Sequence, residues 1–331
     1  MSYDKPWKSY QEQLELLTQR GLIITDTEKA LHYLERIGYY RLSGYLYPFR
    51  ERSGIYCPLP TSGNKKFKKG STNRLVLDNF KQGAYFQNAV ELYVFDKKLR
   101  LLVLDALERI EIGLRADISH TLGKKDAFAY LKPELLFEGF ASKIDNNTGL
   151  TAHHQWLTRH AGLVTRSKED FIKHHKTKYG LPLPIWVVCE IWDFGTLSTL
   201  FAGMTASDQD EVANKYGLSD GRIFASWLRS LNYLRNVCAH HSRLWNRNIV
   251  VRPKLPAINE VSWTEHFIGN DHYQTRAYLL LCISKHLLII INPSSTWWKR
   301  LNKLLSEFPD LNHLELNLKS MGVIEGLEQK V

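Results

Sequence analysis

Within the hexamer Arg235-Asn236-Val237-Cys238-Ala239-His240, a guanidinium, an amide and an imidazole fall within six consecutive residues. Histidine suits proton transfer because its ordinary pKa of ~6.5 lies near working pH. Arginine stays charged and offers a planar fork of donors to two phosphate oxygens at once. A phosphodiester flanked by a 2′-hydroxyl needs both: a base to remove the hydroxyl proton and a cation to hold the charge that builds on phosphorus. Neither step needs a metal. In this reading Arg235 is the phosphate clamp, His240 the general base or acid, and Asn236, one turn before His240, the orienting amide. The competing account makes His240 a surface histidine and Arg235 the ion-pair partner of a carboxylate such as Glu111. Positions i and i+5 lie about 140° apart on a straight helix, so Arg235 must reach round or the helix must be irregular there.

These residues need an element to carry them, and one helix over 226–247 (SWLRSLNYLRNVCAHHSRLWNR) is the simplest expectation. Ser219 or Asp220 can cap its start, and no proline interrupts it before Pro253. Wound at helical spacing, Trp227, Leu231, Leu234, Cys238 and Trp245 form a core stripe. Arg229, Asn236, His240, Arg243 and Arg247 form another, which makes Arg229, Arg243 and Arg247 candidate RNA contacts. His241, about 100° further round, is a candidate second proton-transfer group.

The 331 residues suffice for one large or two modest domains, and their 44% hydrophobic and 24% charged content is that of a globular chain. A formal charge of +10 points to a polyanionic partner, nucleic acid or an anionic membrane. Cys57, Cys189, Cys238 and Cys282 never form a Cys-x2-Cys pair, which argues against a disulfide scaffold or structural zinc and for a reducing compartment. The N-terminus lacks a secretion signal, and the apolar run near 279–291 is broken by Lys285 and His286. The expectation is a cytoplasmic protein with no membrane partner and no cofactor.

Along the chain, 9–20 and a segment starting at Asp26 read as two short helices, a pattern shared by helix-turn-helix modules and by ordinary helical hairpins. From 53 to 70 the pattern dissolves into a loop containing Lys65, Lys66, Lys68 and Lys69 around Phe67, able to meet phosphates or simply to be solvated. The strongest helical signal covers 88–122, with Glu108, Glu111, Arg115 and Ser119 on one face and a favourable Glu111–Arg115 pair. It holds a second Arg-x4-His, Arg115 to His120, but Ala116 follows the arginine and His120 lies off the Glu111/Arg115 face. His153, His154, His160, His174 and His175 lack metal-binding spacing, so no metal site is expected. A helix is expected over 185–201, with Trp186, Glu190, Phe194 and Leu197 sharing a face and Glu190 either a paired carboxylate in the core, the preferred reading, or a ligand-orienting group. Further helices are expected over 273–291 and 294–308. The domain reading is 1–50 a helical hairpin, 51–84 a basic loop, 85–250 the main helical domain and 251–331 a helical extension.

Four stretches, GYYRLSGYLYPFR, FDKKLRLLVLDALERIEIGLRADISH, EDFIKHHKTKYGLPLPIWVVCEIWDFGTLSTLF and LRNVCAHHSRLWNR, together resemble the abortive-infection AbiD/AbiF proteins of the HEPN ribonuclease superfamily. The likeness runs from about Tyr10 to Arg247. It implies an all-α, HEPN-like helical bundle and metal-independent RNA cleavage that leaves a 2′,3′-cyclic phosphate and a 5′-hydroxyl. It also implies phage defence by abortive infection and a site built from two domains, hence a homodimer. A single histidine in the motif points the same way, because strand cleavage needs one group to take a proton and another to give one. An intramolecular rival would use Arg115 and His120. Two other functions stay open: an RNA-binding protein that holds a small RNA without cutting it, and a DNA-binding regulator using the N-terminal helix pair.

Overall fold

The computed structural model describes residues 6–54 and 74–327. Among them the chain is helical apart from one two-stranded sheet, so the fold is all-α as expected. It divides into two compact units, Met1–Lys98 with Leu304–Leu318, and Leu99–Lys303 with Lys319–Val331.

In the first unit, α1 (Tyr10–Gln19) starts at a capping box in which the Glu12 amide donates to Ser9 Oγ and the Ser9 amide donates to the Glu12 carboxylate. Gly21, at φ +89°, turns the chain after it. Asp26 accepts from the Lys29 amide to cap α2 (Thr27–Ile37), and Leu14, Leu17, Ala30 and Leu34 are buried. The next helix, α3 (Tyr39–Leu46), places Tyr45 so that its hydroxyl donates to the fully buried Asp96 at 2.7 Å. A short antiparallel pair follows, β1 (Arg50–Arg52) and β2 (Val76–Phe80), which periodicity did not reveal because three- and five-residue edge strands carry too few side chains to show alternation. Residues 55–73, including Lys65, Lys66, Lys68 and Lys69, lie outside the described residues.

The helix read from the sequence over 88–122 is α4 (Phe86–Gly123). Its second-unit part buries Leu99, Val103, Ala106, Leu107, Ile110, Leu114, Ile118 and Leu122, a stripe at steps of three and four that has to face other helices. The chain continues through α5 (Glu138–Ala141), α6 (Ala152–Arg166), α7 (Asp170–Tyr179), α8 (Ile185–Val188), α9 (Phe194–Gly203), α10 (Ala206–Lys215) and α11 (Gly221–Ala239), then α12 (Asp271–Gln274), α13 (Ala277–Ile291) and α14 (Trp297–Ser306). In α13 every residue from Ala277 to Ser284 is buried, so it is a helix of the core. Around it, α11 packs on α9, α10 and α13. Gly221 is required where α10 and α11 meet, since a Cβ there would sit 2.3 Å from that of Gln209 and 2.5 Å from its backbone carbon.

Two expected helices are broken. Over 185–201 the helix stops after α8, passes through a 3₁₀ turn at Cys189–Ile191, and restarts as α9. Asp193 causes the restart: its carboxylate accepts from the amide and hydroxyl of Thr196 at 2.8 and 2.9 Å, a cap that fixes a new N-terminus. Trp186 and Glu190 therefore do not share the buried face of Phe194 and Leu197. Both are exposed, and Glu190 is not a core carboxylate. Likewise 273–291 divides into α12 and α13, with Thr275 and Arg276 between them.

Candidate functional site

The largest departure from expectation falls on the hexamer itself. α11 begins at the Asp220 cap but ends at Ala239, not at Arg247. His240 is the C-cap, with its amide donating to the Asn236 carbonyl at 3.0 Å. His241 then takes φ +55°, its amide donating to Cys238 and that of Ser242 to Val237. These two bonds and the left-handed residue form a Schellman termination, a place where glycine or asparagine normally sits. A histidine there costs on the order of 1 kcal/mol. Periodicity hides the ending because Leu244 and Trp245 are buried from an irregular segment, so the apolar pattern continues after the helix has stopped.

Arg235, in the last turns of α11, lines an open cleft of about 350 Å³ with Glu111, Arg115, Ile112 and Leu104 of α4. Glu111 and Arg115 form the expected i,i+4 pair at 2.6 Å. A second Arg115 bond runs to the Trp192 carbonyl at 2.9 Å, and its guanidinium lies 3.8 Å from Glu190. Burial raises the Glu111 carboxyl above the usual range, opposed by the charges of Arg115 and Arg235 and reinforced by that of Asp193. Arg235 thus shares the cleft and the field of Glu111, while the direct ion pair of that carboxylate is with Arg115. One Arg235 nitrogen is 3.4 Å from the Asn236 side-chain oxygen. Asn236 accordingly turns toward Arg235, and among the described residues no side chain hydrogen-bonds the His240 ring.

His240 and His241 are both exposed and do not line the cleft. Arg229 is exposed on α11, without an ion pair among the described residues. Arg243 is half-buried in the segment after the helix, not on it. Arg247 is half-buried too, donating to the Tyr233 hydroxyl at 2.8 Å with its guanidinium 5.8 Å from that ring. The stripe of Arg229, Asn236, His240, Arg243 and Arg247 is therefore not one helix face. His120 is exposed near the end of α4 and is not among the residues of the cleft.

A polar support behind the cleft went unseen in the sequence. One Arg159 guanidinium nitrogen donates to both carboxylate oxygens of Asp193, at 2.8 and 2.9 Å. Burial alone would raise the Asp193 carboxyl, but the bonds from Arg159 and Thr196 hold it below the usual range. Next to it the Trp192 indole donates to His160 Nδ1 at 3.0 Å, and burial pushes that imidazole down to about 4, so it is neutral at working pH. The Asp193-x-x-Thr196 spacing was a readable capping signal; Arg159 and His160, distant in sequence, left none. No three His, Cys, Asp or Glu residues among those described are placed to hold a metal ion. No helix among them is long and apolar enough to cross a membrane.

Fold and site together define an all-helical protein in which Arg115 and Arg235 from two helices face one cleft beside the carboxylates Glu108 and Glu111. Residues 32–246, which include every residue of that cleft and the Arg235–His240 hexamer, match the Abi-like protein family. The chain belongs to that family, and with it to abortive-infection defence against phage. No curated protein and no solved structure matches the chain.

Proposed function

We propose that the protein is a metal-independent endoribonuclease of HEPN type that acts as the toxic arm of an abortive-infection response. The observation that carries the reading is the cleft, where Arg115 and Arg235 converge while His240 ends the helix that bears Arg235. The RNA 2′-oxygen attacks phosphorus, its proton passes to a base, the bond to the 5′-oxygen breaks, and an acid returns a proton to that oxygen. The products are a 2′,3′-cyclic phosphate and a 5′-hydroxyl. Arg235 holds the phosphoryl oxygens, with Arg115 kept in place by Glu111 and Trp192.

His240 supplies one proton-transfer group, and a second copy of the chain supplies the other. On α4, Leu101 and Ile112 are 59% and 55% exposed, and Ile112 borders the cleft. Apolar side chains beside an anion site are suited to a two-fold homodimer that joins two hexamers in one composite site. The test is incubation of purified protein with labelled RNA in EDTA, followed by analysis of product ends and measurement of mass in solution. Cleavage to cyclic-phosphate ends that is lost in both Arg235→Ala and His240→Ala is expected; undiminished cleavage by both variants overturns the assignment.

A second reading, a non-catalytic protein holding a small RNA, is favoured by one observation: no side chain among those described orients the His240 ring. RNA binding without cleavage, unchanged by His240→Ala, selects it.

A further inference from the structure

In the second unit, the stretch from the end of α6 through α7 to α8 carries exposed cations and rings that do not line the cleft. Between Arg166 and Lys178 the chain carries five cations, Arg166, Lys168, Lys173, Lys176 and Lys178, against two carboxylates, Glu169 and Asp170. All but Lys176 of the five are exposed. Lys173 pairs with the fully exposed Asp170 on its own helix, and Arg166, Lys168 and Lys178 have no carboxylate partner among the described residues. Such a pair in water is worth little and leaves the lysine available to a stronger anion.

Two aromatic side chains on the same stretch are exposed. Tyr179, the last residue of α7, is 65% exposed, with the Lys178 ammonium 5.0 Å from its ring centre and the His175 ring at 5.3 Å. Trp186 is 54% exposed on α8, although Ile185, Val187 and Val188 around it are buried. Its backing is firm: a Cβ at Gly123 would meet Trp186 Cε3 at 3.4 Å, so the indole lies against the end of α4. Backbone bonds from the Ile185 amide to the Ala127 carbonyl, and from the Tyr130 hydroxyl to the Leu183 carbonyl, fix the segment. Folding gains little from a rigid indole left in water. Trp186 is also one turn before Glu190, the residue 3.8 Å from Arg115 at the cleft.

We infer that the stretch from the end of α6 through α8 forms a track for single-stranded RNA leading away from the cleft, with Trp186 and Tyr179 as stacking platforms and Arg166, Lys168, Lys173 and Lys178 as phosphate contacts. Interleaved cations and exposed rings fit a flexible strand, because every base has a face to stack and unpaired bases alone can reach a ring. Paired bases are hidden in the duplex stack, which sets single strands apart from duplex as the occupant. The inference rests on the reading that the polyanion is RNA, but it needs binding only.

The test measures anisotropy of a fluorescent twelve-nucleotide uridine oligomer, and of a duplex RNA of equal length, with the full-length protein in EDTA on a His240→Ala background. Trp186→Ala should weaken single-strand binding about 5- to 100-fold, change duplex binding less than twofold, and melt as the parent does. Trp186→Phe should recover most of the loss. Lys173→Glu with Lys178→Glu should weaken binding and lower the salt slope by at least ~1.4, the contribution of two single-strand phosphates. Unchanged single-strand binding by Trp186→Ala overturns the inference, as does an equal loss for duplex. If the protein binds through Trp186 but never cuts, the track stands and the ribonuclease reading falls; if it cuts and Trp186→Ala binds as before, the reverse holds.

Discussion

Asp193 is where a single side chain carries both a helix end and the backing of the cleft, so its replacement separates the two contributions. In Asp193→Ala three things are lost. The cap on the Thr196 amide is worth ~1 kcal/mol. The buried Thr196 hydroxyl, now without its acceptor, costs ~1 kcal/mol. The half-exposed ion pair with Arg159 contributes about 0.5–1 kcal/mol after solvent screening. The expected loss is about 2–3 kcal/mol, or on the order of 3–4 °C in melting temperature for a chain of this size. Asparagine caps as well as aspartate and keeps an oxygen for Thr196, so Asp193→Asn should lose only the ion pair, about 0.5–1 kcal/mol. Urea unfolding of the three proteins at pH 7 measures both numbers. The carboxyl of Asp193 is held below its usual value, so its contribution is present above the unfolded pKa of ~3.9 and is lost as pH falls through the folded one. The gap between the parent and Asp193→Asn should accordingly close below about pH 4. Equal destabilisation by Asn and Ala at pH 7 would refute the capping argument and assign the whole effect to charge.

His240→Ala should change unfolding free energy by less than about 0.5 kcal/mol, because the ring is exposed and has no side-chain hydrogen bond among the described residues, while lowering RNA cleavage about 10²–10⁴-fold; equal losses of both would make the residue structural. Glu111→Gln removes the carboxylate paired with Arg115 and leaves Glu108 and Glu190 nearby, so RNA should bind more tightly at low salt and with a steeper salt dependence, read by anisotropy; weaker binding would contradict an anion-binding cleft. For His160 the folded imidazole, near 4, lies below the unfolded ~6.5, so stability present above pH 6.5 declines as pH falls toward 4. Discounted for partial exposure, the decline is on the order of 2 kcal/mol. His160→Asn, which keeps an acceptor for Trp192, should flatten that slope, leaving what His153 and His286, also pushed down by burial, contribute; an unaltered slope would show that His160 does not titrate as argued. The mass in solution should be that of a dimer, and Ile112→Glu should yield monomer with little cleavage; full activity in a monomer would return Arg115 and His120 to candidacy.

The sequence by itself determined the features that one segment can encode. The all-helical class, the extent of α4, the starts of α1 and α2, a cap at Ser219 or Asp220 and the Glu111–Arg115 pair all depend on neighbours within about a turn, where helix geometry converts spacing directly into contact. What the tertiary structure alone decided are features in which local and distant signals look alike. Leu244 and Trp245 continue the apolar rhythm of α11 from an irregular segment because burial, not helicity, selects their side chains, and this concealed the end of the helix at His240. The helical rhythm likewise ran through Asp193, where a short bond to Thr196 outweighs it and turns Trp186 and Glu190 outward. Arg235 meets Glu111 and Arg115 across more than a hundred residues, and Arg159 and His160 support the same cleft from α6. Such convergence leaves no periodic trace, because each helix fixes only its own faces and the packing of buried stripes chooses which faces meet.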